Sequence, residues 1–176
     1  MKALGDAERV EFSNNGLIDS LTGAPAPKTF LDNLAREISK SKRKFQPISI
    51  ITLKLLPESS RDPISKYEKR LVAIGQSLKS DLRGGDFYSR FAENGFWLCL
   101  QGDLVEAKKA ADRFSLSISK IKSVETKTKG FPPDGQVQPV PKGPQIAISI
   151  KEWDGKLNSA EWIQEIDHCF FTDSRL

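Results

Sequence analysis

Arg90-Phe91-Ala92-Glu93-Asn94-Gly95-Phe96-Trp97-Leu98-Cys99-Leu100 is the stretch that decides the fold. Phe87 to Phe91 and Phe96 to Leu100 read as two short strands, with Asn94-Gly95 between them. That dipeptide is the strongest short hairpin signal, because both positions tolerate left-handed backbone. The run after it, Trp97-Leu98-Cys99-Leu100, continues as an apolar strand.

The flanking segments supply the cover. Upstream, Tyr67, Leu71, Ile74, Leu78 and Leu82 repeat at helical spacing, and Gly84-Gly85 ends that helix. Before it, Ile48 to Leu56 follows Pro47, is rich in β-branched residues and is apolar for most of its length, as a central strand is. Phe30, Leu31, Leu34, Ala35 and Ile38 mark a helix over Lys28 to Lys44. Downstream, Ala107, Ala110, Ala111, Phe114 and Ile118 mark a helix over Leu104 to Ile121. Residues 123–144 are rich in Pro, Gly, Lys and Gln and read as a long exposed loop. Gln145 to Ile150 reads as a strand and Ser159 to Phe171 as a last helix. The order predicts an α/β (α+β) domain, with a mixed, mainly antiparallel central sheet covered by helices. Residues 1–18 have weak periodicity and read as a lead-in segment to one domain over 19–176.

The chain has 176 residues, 38% hydrophobic and 28% charged, ordinary values for one soluble domain. No apolar run reaches the roughly 20 residues of a membrane span, and Met1 to Gly16 lacks the apolar core of a secretory signal, so a cytoplasmic location is expected. Cys99 and Cys169 have no metal-type spacing and are expected as free thiols. One histidine, His168, argues against a zinc enzyme or a His-based triad. The net charge of +4 does not argue for DNA. Lys40, Lys42, Arg43 and Lys44 end a helix, where cations meet the exposed carbonyls and the negative end of the dipole.

Asp19-Ser20-Leu21-Thr22-Gly23 is similar to the D-x-L-T-G opening of the GGDEF (diguanylate cyclase) family, and further short motifs resemble that family in the same order. Arg90 to Phe96 stands where the family has R-x-G-G-D-E-F: the Arg and the closing Phe remain, while Ala92, Glu93, Asn94 and Gly95 replace the glycines and the acidic pair. Arg83-Gly84-Gly85-Asp86-Phe87 looks like that signature by eye, but no apolar strand follows it. Ala147 to Lys151 resembles the T-x-S-x-G strand, and Asp167 to Phe171 the D-x-A-L-Y stretch of the last helix. The resemblance runs from Asp19 to about Ser174 and implies a nucleotide-cyclase-like fold in a bacterial signalling module.

The family joins two GTP molecules with two metal ions, which need hard oxygen ligands. The resemblance puts one ligand at Asn94 or Gly95 and the other at Lys54, with Leu53 and Leu55 as its neighbours, and none of these is a carboxylate. The family's phosphate-binding Lys matches Ser174. Glu68 falls at a guanine-reading Asp, but one retained contact is not a site, and it reads first as a solvated helix residue. The resemblance therefore implies no catalytic residues, no metal and no cofactor: a degenerate, non-enzymatic domain. It also implies a product-binding R-x-x-D site at Arg83 and Asp86, completed by Arg113 on the next helix. Arginine forks grip phosphate and the guanine Hoogsteen edge, and a carboxylate accepts from guanine N–H groups. A cyclic di-GMP receptor is thus expected. The alternative is a homodimerising or partner-docking module that binds no nucleotide, for which the 123–144 loop and Trp153 are the features; Trp153 also reads as a strand-end aromatic.

Overall fold

The computed structural model describes residues 16–56, 64–121 and 144–172. The lead-in up to residue 15, most of the 123–144 loop, Ser174, and the side chains of His168 and Cys169 lie outside the described part. The elements are α1 (Pro27–Lys44), β1 (Ile48–Leu55), α2 (Ile64–Asp81), β2 (Phe87–Ala92), β3 (Gly95–Gln101), α3 (Leu104–Ser119), β4 (Ile146–Glu152) and α4 (Ser159–Thr172). The strands form one sheet in the order β2-β3-β1-β4. All three ladders are antiparallel, in keeping with the mainly antiparallel sheet expected.

The side chains of β1 and β3 alternate between two cores. Ile51, Leu53, Leu55, Phe96, Leu98 and Leu100 pack with α2 and α3. Ile48, Ile50, Trp97 and Cys99 pack with α1 and α4, through Phe30, Leu34, Trp162 and Ile166. A sheet between two helical layers is buried on both faces, which is why these strands carry no polar alternation. Full burial of one such large side chain contributes about 1.5–3 kcal/mol. Cys99 is a buried free thiol, and burial pushes its pKa far above the ordinary thiol range.

Local chemistry sets the helix ends. Pro27 starts α1, where its missing N–H has no helical partner to lose. Asp103 and Glu106 form a capping box on α3, and Asn158 and Glu161 make the equivalent exchange before α4. Helix α1 carries Lys42, Arg43 and Lys44 in its last turn, as expected, and ends at Phe45 in the left-handed region (φ 54, ψ 35). A non-glycine residue there is held at a penalty of about 1–2 kcal/mol.

The hairpin differs from its sequence reading in one respect. Ala92 pairs with Gly95, so the turn is Glu93-Asn94 and Gly95 already belongs to β3. Neither Asn94 nor Gly95 takes a positive φ, so the Asn-Gly pair is not the turn. A register shift between Arg90 and Ala92 adds one residue to β2 and moves the turn back by one. Among the described residues, no helix is long and apolar enough to cross a membrane.

Candidate functional site

Two of the sequence motifs prove to be one structural unit. The Arg90 guanidinium donates to both carboxylate oxygens of Asp19, at 2.9 and 3.0 Å, with both side chains buried. Its second terminal nitrogen donates to the Glu93 carbonyl in the hairpin turn at 2.7 Å. Asp19 also accepts from the backbone N–H and the hydroxyl of Thr22. Gly23 takes φ 69 to close this turn, with its N–H donating to the Asp19 carbonyl at 2.9 Å. Asp19, Thr22, Gly23 and Arg90 therefore fasten the opening turn to the hairpin, a role of position rather than of chemistry.

The hairpin tip meets the end of β1. Lys54 pairs with Gly95, Leu55 N–H donates to the Asn94 carbonyl at 2.8 Å, and the Asn94 amide donates to the Leu55 carbonyl at 3.1 Å. Lys54 thus lies beside the hairpin positions. The Phe91 ring stacks on Trp97, 4.2 Å between centroids and 4° from parallel, and lies over Gly95. A Cβ at Gly95 would stand 2.7 Å from that ring, so no side chain fits there unless Phe91 moves. The Lys54 ammonium lies 6.0 Å from the Phe91 centroid. Partial burial lowers the Lys54 pKa, and the Asp167 charge on α4 opposes the shift. Partial burial raises the pKa of Asp167, against the pull of Lys54. Tyr67 on α2 also lies near the turn: burial raises its pKa, Glu93 adds to the shift and Arg90 opposes it. Glu68 is half-buried on the same helix.

These residues do not fit a pair of metal ions. The positions facing each other are a lysine, a glycine under an aromatic ring, and an asparagine whose amide is bonded to the backbone. Among the described residues, no three His, Cys, Asp or Glu side chains come close enough to hold a metal.

The structure does bring Arg83, Asp86 and Arg113 together. They line one open cavity of about 250 Å³ with Gln101, Glu106 and Lys109. Arg83 to Asp86 is a tight turn, closed by Asp86 N–H to the Arg83 carbonyl at 3.1 Å. Gly85 takes φ 103 there, a conformation reserved in practice for glycine. The Asp86 carboxylate accepts from the Arg83 N–H and the Gln101 N–H, each at 3.2 Å. Arg113 reaches across from α3 and donates to the Asp81 carbonyl at the end of α2, at 3.1 Å. One bond of five leaves its guanidinium with donors for a ligand. Arg83 is exposed.

No protein-family model and no curated protein matches the sequence. Solved structures do match in fold. SiaD, a diguanylate cyclase from Pseudomonas aeruginosa solved with its activator SiaC, superposes at a TM-score of 0.71 and 20% identity, over 90% of this chain and 58% of that one. The GGDEF domain of DgcB from Caulobacter crescentus, solved in complex with cyclic di-GMP, gives 0.70 at 11% identity, over 93% and 92% of the two chains. The chain has the GGDEF-domain fold. The FimX GGDEF domain from Pseudomonas aeruginosa gives 0.66 at 15% identity, over 86% and 90%.

In this fold, the five positions Ala92 to Phe96 that the resemblance set against the signature are the last residue of β2, the turn Glu93-Asn94 and the first two residues of β3. Phe96 is fully buried against α2 and α3, a core residue. Two features escaped the sequence. The Arg90–Asp19 pair joins positions 71 residues apart, and nothing local announces it. The Phe91 ring over Gly95 depends on the register shift in β2, which no pattern of polarity encodes.

Proposed function

We propose that this GGDEF-like domain is not a cyclase but a receptor for cyclic di-GMP, held at Arg83, Asp86 and Arg113. The observation that carries the reading is their convergence on one cavity from two separate elements, the turn after α2 and the middle of α3. Its two arginines and Lys109, against Asp86 and Glu106, leave a positive balance for phosphate. The Asp86 carboxylate keeps lone-pair positions for guanine N–H groups beside its two backbone bonds. The volume is below the roughly 300–1,000 Å³ that encloses a drug-sized ligand, so one base and its phosphate would enter and the rest would lie on the surface. The hairpin speaks against enzymatic activity: Lys54, Asn94 and Gly95 offer no hard anionic oxygen, and Phe91 fills the space over Gly95.

Calorimetric titration with cyclic di-GMP tests the receptor. Binding that is lost in Arg83→Ala and weakened in Arg113→Ala is expected; no heat at high micromolar ligand, or equal binding in Arg83→Ala, would refute it. Incubation with GTP and magnesium should give no cyclic di-GMP, and product formation would overturn the non-enzymatic reading. A second reading, docking to a copy of itself or to a partner protein, draws support from SiaD, whose structure includes an activator protein.

A further inference from the structure

The sheet end opposite the signature hairpin carries a surface that neither the hairpin nor the Arg83 cavity uses. There Ile48 pairs with Gln101 and Ser49 with Glu152, so the start of β1 and the ends of β3 and β4 lie side by side. Phe45 stands beside them with 94% of its surface exposed. It occupies the left-handed position after α1, where glycine or asparagine is the ordinary choice. A phenylalanine there is strained, and a ring this exposed recovers almost nothing by packing. Phe45, Pro47 and Trp153 line a shallow cavity of about 410 Å³, with the Lys42 ammonium 5.5 Å from the Trp153 ring. Val105, 59% exposed, adds apolar surface where α3 starts.

The Phe45 cavity is also lined by Asp154, an exposed carboxylate outnumbered by the three cations in the last turn of α1. Lys42, Arg43 and Lys44 are exposed and immediately precede Phe45. The nearby carboxylates are engaged by backbone N–H groups: Asp154 by Lys156 and Leu157, Glu152 by Leu104, and Asp103 by Glu106. An aromatic tip with three adjacent cations is the complement of an anionic bilayer surface. Cations are drawn to its headgroups, and an aromatic ring settles at the boundary with the acyl chains. We propose that this end of the domain is a peripheral contact for anionic lipid, with Phe45 inserted and Lys42, Arg43 and Lys44 on the headgroup phosphates. Each signal is weak alone, so the contact is reversible. A single protruding ring, rather than a row of stacking platforms, favours lipid over single-stranded nucleic acid.

Co-sedimentation of the full chain with vesicles tests the proposal, comparing phosphatidylcholine alone with phosphatidylcholine plus phosphatidylglycerol. Binding to the second only is expected, weakening as salt rises. Each of Lys42→Gln, Arg43→Gln and Lys44→Gln should lower the partition coefficient about fivefold. Phe45→Gly should reduce binding while raising the melting temperature, because it relieves the left-handed strain; lost binding then cannot be a folding failure. No phosphatidylglycerol-dependent binding, or binding unchanged from the wild type in both Phe45→Gly and the Lys42/Arg43/Lys44→Gln triple variant, would overturn the proposal. So would an oligonucleotide bound with the same sensitivity to those variants, or a solution dimer that dissociates in Phe45→Gly.

Discussion

Arg90 and Asp19, 71 residues apart, form a buried ion pair, one guanidinium nitrogen donating to both carboxylate oxygens, that ties the opening turn to the hairpin. Both side chains are shut off from water, so each compensates the buried charge of the other. Removing one partner leaves an uncompensated charge in the interior. Arg90→Ala and Asp19→Ala should each lower stability by about 3–5 kcal/mol. The double variant should lose less than the sum, because the pair acts as a unit. Urea denaturation of the four proteins measures the coupling, and strict additivity would show that the two groups do not share their energy.

Asp86 and Arg83 should separate stability from binding. The Asp86 carboxylate holds two backbone N–H groups, so Asp86→Ala should cost about 1–2 kcal/mol by chemical denaturation. The exposed Arg83 side chain should be neutral within about 0.5 kcal/mol on truncation to Ala, while cyclic di-GMP binding is lost. A large stability loss in Arg83→Ala would mean that its side chain has a structural task.

Gly95 and Phe91 should be coupled. A methyl group at Gly95 meets the ring at 2.7 Å, and the ring is stacked on Trp97 and cannot yield freely. Gly95→Ala should therefore cost about 1–3 kcal/mol in the native background. In a Phe91→Leu background the cost should fall well below that. Equal costs in both backgrounds would place the ring elsewhere in solution.

Both tyrosines of the chain, Tyr67 and Tyr88, have raised pKa values, with burial the first cause in each. Their folded-state pKa lies above the unfolded value near 10, so between the two values the native protein holds protons that the unfolded chain has lost. Stability should be intact below pH of about 10 and decline as pH rises through the folded values. Absorbance titration of native protein should show both phenols ionising later than in denaturant. A native curve that matches the denatured one would contradict the burial.

Each described helix and strand was legible in the sequence to within a few residues. Spacing marked α1 through Phe30, Leu34 and Ile38, an apolar run on both faces marked β1 as a central strand, and β3 read as the apolar strand of the hairpin. Periodicity reports which faces are buried, and burial is what the sheet imposes on those strands. The hairpin turn was misplaced by one residue, because the shift between Arg90 and Ala92 is a matter of strand pairing and not of turn propensity.

The candidate site divides along the same line. Arg83 and Asp86 sit three residues apart, so the local turn that joins them could be read from Gly84-Gly85. Arg113 could be placed on a helix by its neighbours, but its approach to the same cavity needed α3 to pack on the end of α2.

By itself, the sequence determined the identity of the elements, the two apolar faces of the sheet, and the absence of a carboxylate at Lys54, Asn94 and Gly95. These follow from residue type and spacing alone. Only the tertiary structure decided that Arg90 binds Asp19, that Phe91 covers Gly95, and that Phe45 stands out into solvent. Those relationships join residues across ladders or depend on how a helix ends, and a linear pattern carries no distance between positions that only folding brings together.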